Sequence, residues 1–184
     1  MRSALRKGAT FRPRRRGEER GASAVEFALI VPVLLLVVFG VINFGILMAQ
    51  KASLSNATRV GARYATVNAY TATTHTCASV IDRVRNAAPT FGIANTTAAK
   101  QAIAVTVKLT KASDGTTAPV CAANAGVASS GSTLPCANAT GSPDTPDTLT
   151  IDATYNSKFL VSVPGIGSGL TLGSSSSFQC EYYK

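Results

Sequence analysis

The sequence predicts an α+β protein, in which a long N-terminal transmembrane helix continues into a small exported domain with one short helix and about three antiparallel strands. Three observations carry that expectation. Residues 27 to 48 hold no charged side chain. Residues 77 to 88 repeat apolar positions at helical spacing, and residues 103 to 110 and 149 to 155 alternate apolar with polar positions at a period of two.

The helix comes first along the chain. At a rise of 1.5 Å per residue, the uncharged run from Phe27 to Met48 covers about 33 Å, close to the hydrocarbon thickness of a bilayer. Beyond it Ala49, Ala52, Leu54, Ala57, Val60, Ala62 and Ala65 continue the pattern, with Lys51, Arg59 and Arg63 interspersed. One helix is therefore expected from about Ser23 to about Val67, and half of it must stand outside the membrane.

Charge is concentrated ahead of that helix. Residues 1 to 21 carry +6 of the formal net charge of +9. Rich in Arg, Gly and Pro and without apolar periodicity, they read as a disordered leader or anchor flank. A basic arm before an apolar run places the N-terminus in the cytoplasm and the C-terminal bulk outside. Beside a membrane, Arg12, Arg14, Arg15 and Arg16 serve topology and lipid contact, so no nucleic-acid partner is expected. A secretory signal peptide is the competing reading, with a mature start near Gln50. Its apolar core runs to only about 7–15 residues before a small-x-small site, and Leu47-Met48-Ala49-Gln50-Lys51 matches such a site poorly.

In the exported part, Cys77, Val80, Ile81, Val84 and Ala88 define one apolar helix face, with Asp82, Arg83 and Arg85 assigned to the other side, and Pro89 stops the turn. Ile103, Val105, Val107 and Leu109 form the inner face of a first strand, and Leu149, Ile151, Ala153 and Tyr155 that of a second. Leu170 and Leu172 lead through a Ser run to Phe178, Cys180 and Tyr182 on one face of a third. The segment 111–147, rich in Ala, Gly, Ser, Thr, Asn and Pro, has little periodicity and reads as a displayed or mobile loop. Gly165-Ile166-Gly167-Ser168-Gly169 lacks the Gly-Lys-Ser/Thr of a phosphate loop and reads as a turn between strands.

Four cysteines, Cys77, Cys121, Cys136 and Cys180, all follow the apolar run. An even number on the exported side favours two disulfides, for which the sequence permits three pairings. A Cys121–Cys136 bridge closes a loop of about 15 residues, worth on the order of 3 kcal/mol in the chain-entropy model, and leaves Cys77–Cys180 as the second pair. Such cross-links suit a domain without tryptophan and with few aromatics. His75 beside Cys77 offers too few ligands for zinc. With one histidine and scattered acids, no catalytic constellation is visible, so neither enzyme activity nor a cofactor or metal is expected. Asn56, Asn95 and Asn138 lie in Asn-x-Ser/Thr triplets, which a chain rich in Thr produces by chance.

The segment Gly21-Ala22-Ser23-Ala24-Val25-Glu26-Phe27 sets a carboxylate at the edge of the apolar run. A charge at the centre of a membrane helix costs about 2.5–3.5 kcal/mol, and less near the interface, so Glu26 needs a partner. Cleavage after Gly21 would supply one, because it frees an amine on Ala22, four residues upstream. In a bundle of identical helices that amine pairs with Glu26 of a neighbour and sets the axial register.

Small residues after a basic arm and Gly, followed by Glu-Phe, resemble the prepilin peptidase recognition pattern. The run from Glu26 through Pro32 to Leu36, with Gly40 and Asn43-Phe44-Gly45, is similar to the TadE/TadG-like pseudopilins of the Tad (Flp) pilus system, a type IV pilus. The resemblance is specific over about residues 20 to 65 and weaker near 149–155 and 170–178. It implies a minor pilin processed between Gly21 and Ala22, with Glu26 and Phe27 completing the recognition site. It also implies prepilin peptidase, other Tad pilins and inner-membrane assembly proteins as partners, and adhesion to a surface target as a role for the exported domain. The domains expected are a leader at 1–21, a helix at 22–68 with its membrane part at 27–48, and an α+β domain at 69–184 containing the loop-rich 111–147. An uncleaved single-pass anchor is the alternative.

Overall fold

The computed structural model describes residues 18–66, 75–88, 96–136, 139–142, 144–163 and 167–181, without the side chains of 18–20 and 161–163. Seven elements follow in order: helices α1 (Glu18–Thr66), α2 (Cys77–Ala87) and α3 (Thr97–Gln101), then strands β1 (Ala104–Thr110), β2 (Thr117–Ala123), β3 (Thr148–Val163) and β4 (Gly167–Gln179). The chain divides into two compact units, Met1–Gly40 and Val41–Lys184.

The first unit contributes helix alone to the described residues. Its helix begins at Glu18, so the last residues of the expected leader are helical rather than disordered. One Gly, at position 21, costs a helix about 1 kcal/mol, and the Ala-rich turn after it restores that. Residues 1–17 of the expected leader lie outside the described residues, as do Val67, Asn68, Pro89, Asn95, Asn138, Gly165, Ile166 and Tyr182.

In the second unit the strands form one antiparallel sheet in the order β2-β1-β3-β4. The long hairpin of β3 and β4 pairs Leu149 with Phe178 at one end and Lys158 with Gly169 near the other. The alternation expected for the first two strands is present: Val105, Val107, Leu109, Leu149, Ile151 and Ala153 are buried. These side chains pack with Leu54, Ala57, Ala62 and Ala65 of α1 and with Val80, Ile81 and Val84 of α2 in one core. Small residues on α1 allow close approach, most tightly at Gly61, where an added Cβ would stand 2.2 Å from Val84 Cγ2. On the third expected strand, now β4, Leu172 is buried, as is Cys180 just past its end, but Leu170 and Phe178 remain exposed.

Segment 111–147 departs from expectation. It contains the fourth strand, β2, which pairs with β1 through a register shift after Val107. Thr-Ala-Pro-Val-Cys-Ala-Ala gives almost no alternation because its first half is an exposed sheet edge, where Pro119 blunts further pairing. The remainder is pinned by three groups. Gly131 and Thr133 present carbonyls to the amides of Ala78 (3.2 Å) and Cys77 (2.8 Å) at the start of α2, satisfying donors that a helix leaves unpaired. Asp147, fully buried, accepts from the amides of Ala112 at 2.7 Å, Thr140 at 2.6 Å and Gly141 at 3.0 Å.

The third pin is Arg85. The helical spacing places it on the solvent side of α2, but it is buried. Its guanidinium donates to the carbonyls of Val127 (2.8 Å), Ile103 (3.1 Å) and Asn124 (3.2 Å) and to Ser129 Oγ (3.2 Å). Burial lowers its pKa, while the nearby Asp82 charge opposes that shift.

The disulfide pairing is also corrected. Cys77 bonds Cys121 and Cys136 bonds Cys180, each across 44 residues. Because β2 runs back along β1, it carries Cys121 to the N-terminus of α2, where Cys77 begins the helix. Cys136 is left beside Cys180, whose amide donates to the Asp147 carbonyl at 2.9 Å. Neither Cys121–Cys136 nor Cys77–Cys180 forms.

Candidate assembly segment

The residues singled out by the sequence, Gly21, Ala22, Glu26 and Phe27, all lie on α1 within the first unit, and all are exposed. Ala22 and Glu26 are one turn apart and so share a face. From Val25 to Phe39 the large side chains Val25, Phe27, Leu29, Ile30, Val33, Leu34 and Leu36 are exposed in turn, which means that no stripe is reserved for a core. A helix apolar all round is one built to be surrounded by lipid or by other helices. Pro32 sits inside it, removing one backbone donor, and a Cβ at Gly40 would meet nothing within 4 Å. α1 is long and apolar enough to cross a membrane.

In the second unit, polar side chains of α1 meet the β3–β4 hairpin. Asn43 is buried and its Oδ1 accepts from the amide of Leu160 at 3.1 Å. Lys51 Nζ donates to the carbonyl of Gly173. Thr58 Oγ1 shares hydrogen bonds with Ser176 Oγ at 2.9 Å and Ser174 Oγ at 3.3 Å. Alternate residues of the Ser run on β4, Ser174 and Ser176, thus face the helix through hydroxyls, while Ser177 bonds Thr150 on the other face. A cavity of about 350 Å³ lies among Ile46, Gln50, Tyr155, Lys158 and Leu160. Beside it the buried Gln50 Oε1 and Ser157 Oγ have no hydrogen-bond partner among the described residues.

His75 stacks on Tyr64 with ring centroids 4.1 Å apart, and the Arg83 guanidinium lies 5.5 Å from the same ring. With Cys77 in a disulfide, no group of three His, Cys, Asp or Glu side chains able to hold a metal is found among the described residues. The residues that sequence reading missed are Asn43, Arg85 and Asp147. Arg85 had a signal, since it stands four residues after Ile81 and three before Ala88, on the margin of the apolar stripe.

Among the described residues, one apolar N-terminal helix long enough to cross a membrane precedes a small disulfide-bridged α+β domain, which suggests the class of single-pass membrane anchors. Within that class the family model described as TadE-like protein matches residues 21–63. The matched stretch lies wholly on α1, and over it the chain is similar to TadE-like proteins. No curated protein and no solved structure matches the chain significantly.

Proposed function

We propose that the chain is a minor pilin or pseudopilin of a Tad (Flp) pilus, inserted in the inner membrane with its N-terminus cytoplasmic and its C-terminal domain outside. Prepilin peptidase removes residues 1–21 between Gly21 and Ala22. The helix of 22–68 then packs with those of other Tad pilins and assembly proteins, and the domain of 69–184 is displayed beyond the membrane. The observation that carries the reading is Glu26 on a helix whose side chains are apolar and exposed all round, inside the segment that matches the TadE-like family. A carboxylate so placed is costly unless a cation meets it, and a freed amine on Ala22 of the adjacent subunit is a cation at the right level.

Replacing the carboxylate separates cleavage from assembly. Glu26→Ala is expected to leave removal of the leader intact while the protein's recovery in sheared filaments falls. Wild-type recovery of Glu26→Ala in filaments would end the pairing role.

A further inference from the structure

The apolar run does not stop where the folded domain starts. Val41, Ile42, Phe44 and Met48 belong to the second unit and are exposed, yet Asn43 between them is buried against the backbone of Leu160. Met48 ends the run five residues past Asn43, about 7–8 Å along a helix axis. The far end of the β3–β4 hairpin is therefore level with the last turns of the apolar run.

We propose that the hairpin around Lys158, Leu160 and Leu170 is a lipid-contact surface, seated at the headgroup–acyl boundary of the bilayer that α1 crosses; the inference rests on the membrane-anchor reading above. Leu160 is 70% exposed and Leu170 52% exposed, although both sit near the level of membrane-length apolar sequence. The backbone is also suited to a place short of water, where an unpaired amide is costly. The β3–β4 ladder shifts register between Lys158 and Val163, and the Leu160 amide left out of it is taken by Asn43 Oδ1. That bond also satisfies Asn43, a polar side chain inside an apolar run. Charge agrees: residues 156 to 179 contain no acid, and their one charged side chain, Lys158, is exposed and long enough to reach lipid phosphates while its stem lies on apolar surface.

The chain has no tryptophan, so a single one reports position without interference. The full chain is made as Leu160→Trp, as Phe39→Trp to report insertion, and as Val127→Trp, at another exposed site, to report solvent. Each is reconstituted at low protein density into vesicles of phosphatidylglycerol and phosphatidylethanolamine carrying spin-labelled lipid. Leu160→Trp is expected to shift its emission to the blue and to be quenched by label near the glycerol ester more than by label deep in the chains. Phe39→Trp should respond most to the deep label and Val127→Trp to neither. Quenching of Phe39→Trp without quenching of Leu160→Trp overturns the lipid contact and leaves the anchor standing. Quenching of neither overturns both. A blue shift of Leu160→Trp that arises only at high protein density, without lipid quenching, assigns the surface to a neighbouring subunit and overturns the proposal.

Discussion

Arg85 Nη1 donates to the carbonyl of Val127 at 2.8 Å, across 42 residues of chain, and through this bond a helix holds a loop that carries almost no structural signal of its own. The same guanidinium reaches Asn124 and Ser129, so three points between β2 and the loop's middle depend on one side chain. Its planar fork supplies several donors at fixed angles, which an ammonium cannot reproduce. Arg85→Lys is expected to lower unfolding stability by about 1–3 kcal/mol, and Arg85→Leu by at least as much, because the carbonyl of buried Ile103 and the part-buried carbonyls of Val127 and Asn124 lose their donor. Chemical denaturation of the full chain in detergent, followed by near-ultraviolet circular dichroism, measures both.

The pairing of cysteines follows from the same loop. Each bridge closes a span of 44 residues, for which the chain-entropy model gives about 4 kcal/mol apiece. Non-reducing peptide mapping is expected to recover Cys77 linked to Cys121 and Cys136 linked to Cys180. A double Cys77→Ser, Cys121→Ser variant should lose about 2–5 kcal/mol and release the start of α2 from β2, whereas a Cys121–Cys136 peptide would contradict the sheet topology.

Much of the architecture was legible because its physical cause is local. The uncharged run writes a length into the sequence, while the later half of α1, the apolar face of α2 and the alternation of β1 and β3 each write a period, and Leu54, Val80, Val105 and Ile151 are buried where that period puts them. What stayed hidden depends on partners distant in sequence. Half of β2 is an edge with no face to bury, and its Cys121 takes its direction from pairing with Val107. Asp147 reads as one more loop acid until its carboxylate is seen to gather the amides of Ala112, Thr140 and Gly141. Asn43 looks like a blemish in an apolar run, and only the hairpin's register shift explains it. Gly21, Ala22, Glu26 and Phe27, by contrast, are legible as a motif, and the processing and assembly proposed for them depend on a peptidase and on neighbouring helices.

Asp152 supplies a pH-dependent contribution of small size. Its carboxylate lies 2.7 Å from Lys108 Nζ across β1 and β3. Partial burial raises its pKa, but the hydrogen bonds from Lys108 and Ser175 and the Lys108 charge outweigh that, and the net shift is downward. A carboxyl whose pKa is lower folded than unfolded adds stability above the unfolded value, about 3.9, and loses it as pH falls through the folded value. Both side chains are partly exposed, so Asp152→Asn should cost about 0.2–1 kcal/mol at neutral pH. The difference from wild type should vanish below the carboxylate range, and paired denaturation curves at the two pH values measure it.

The central claim is that this chain is a processed, membrane-inserted pilus component whose Glu26 is matched by a new N-terminus. N-terminal sequencing and intact mass of the protein extracted from native membranes test it most directly. The account predicts a product beginning at Ala22 with both disulfides closed. A chain still beginning at Met1, or one beginning near Gln50, would contradict it.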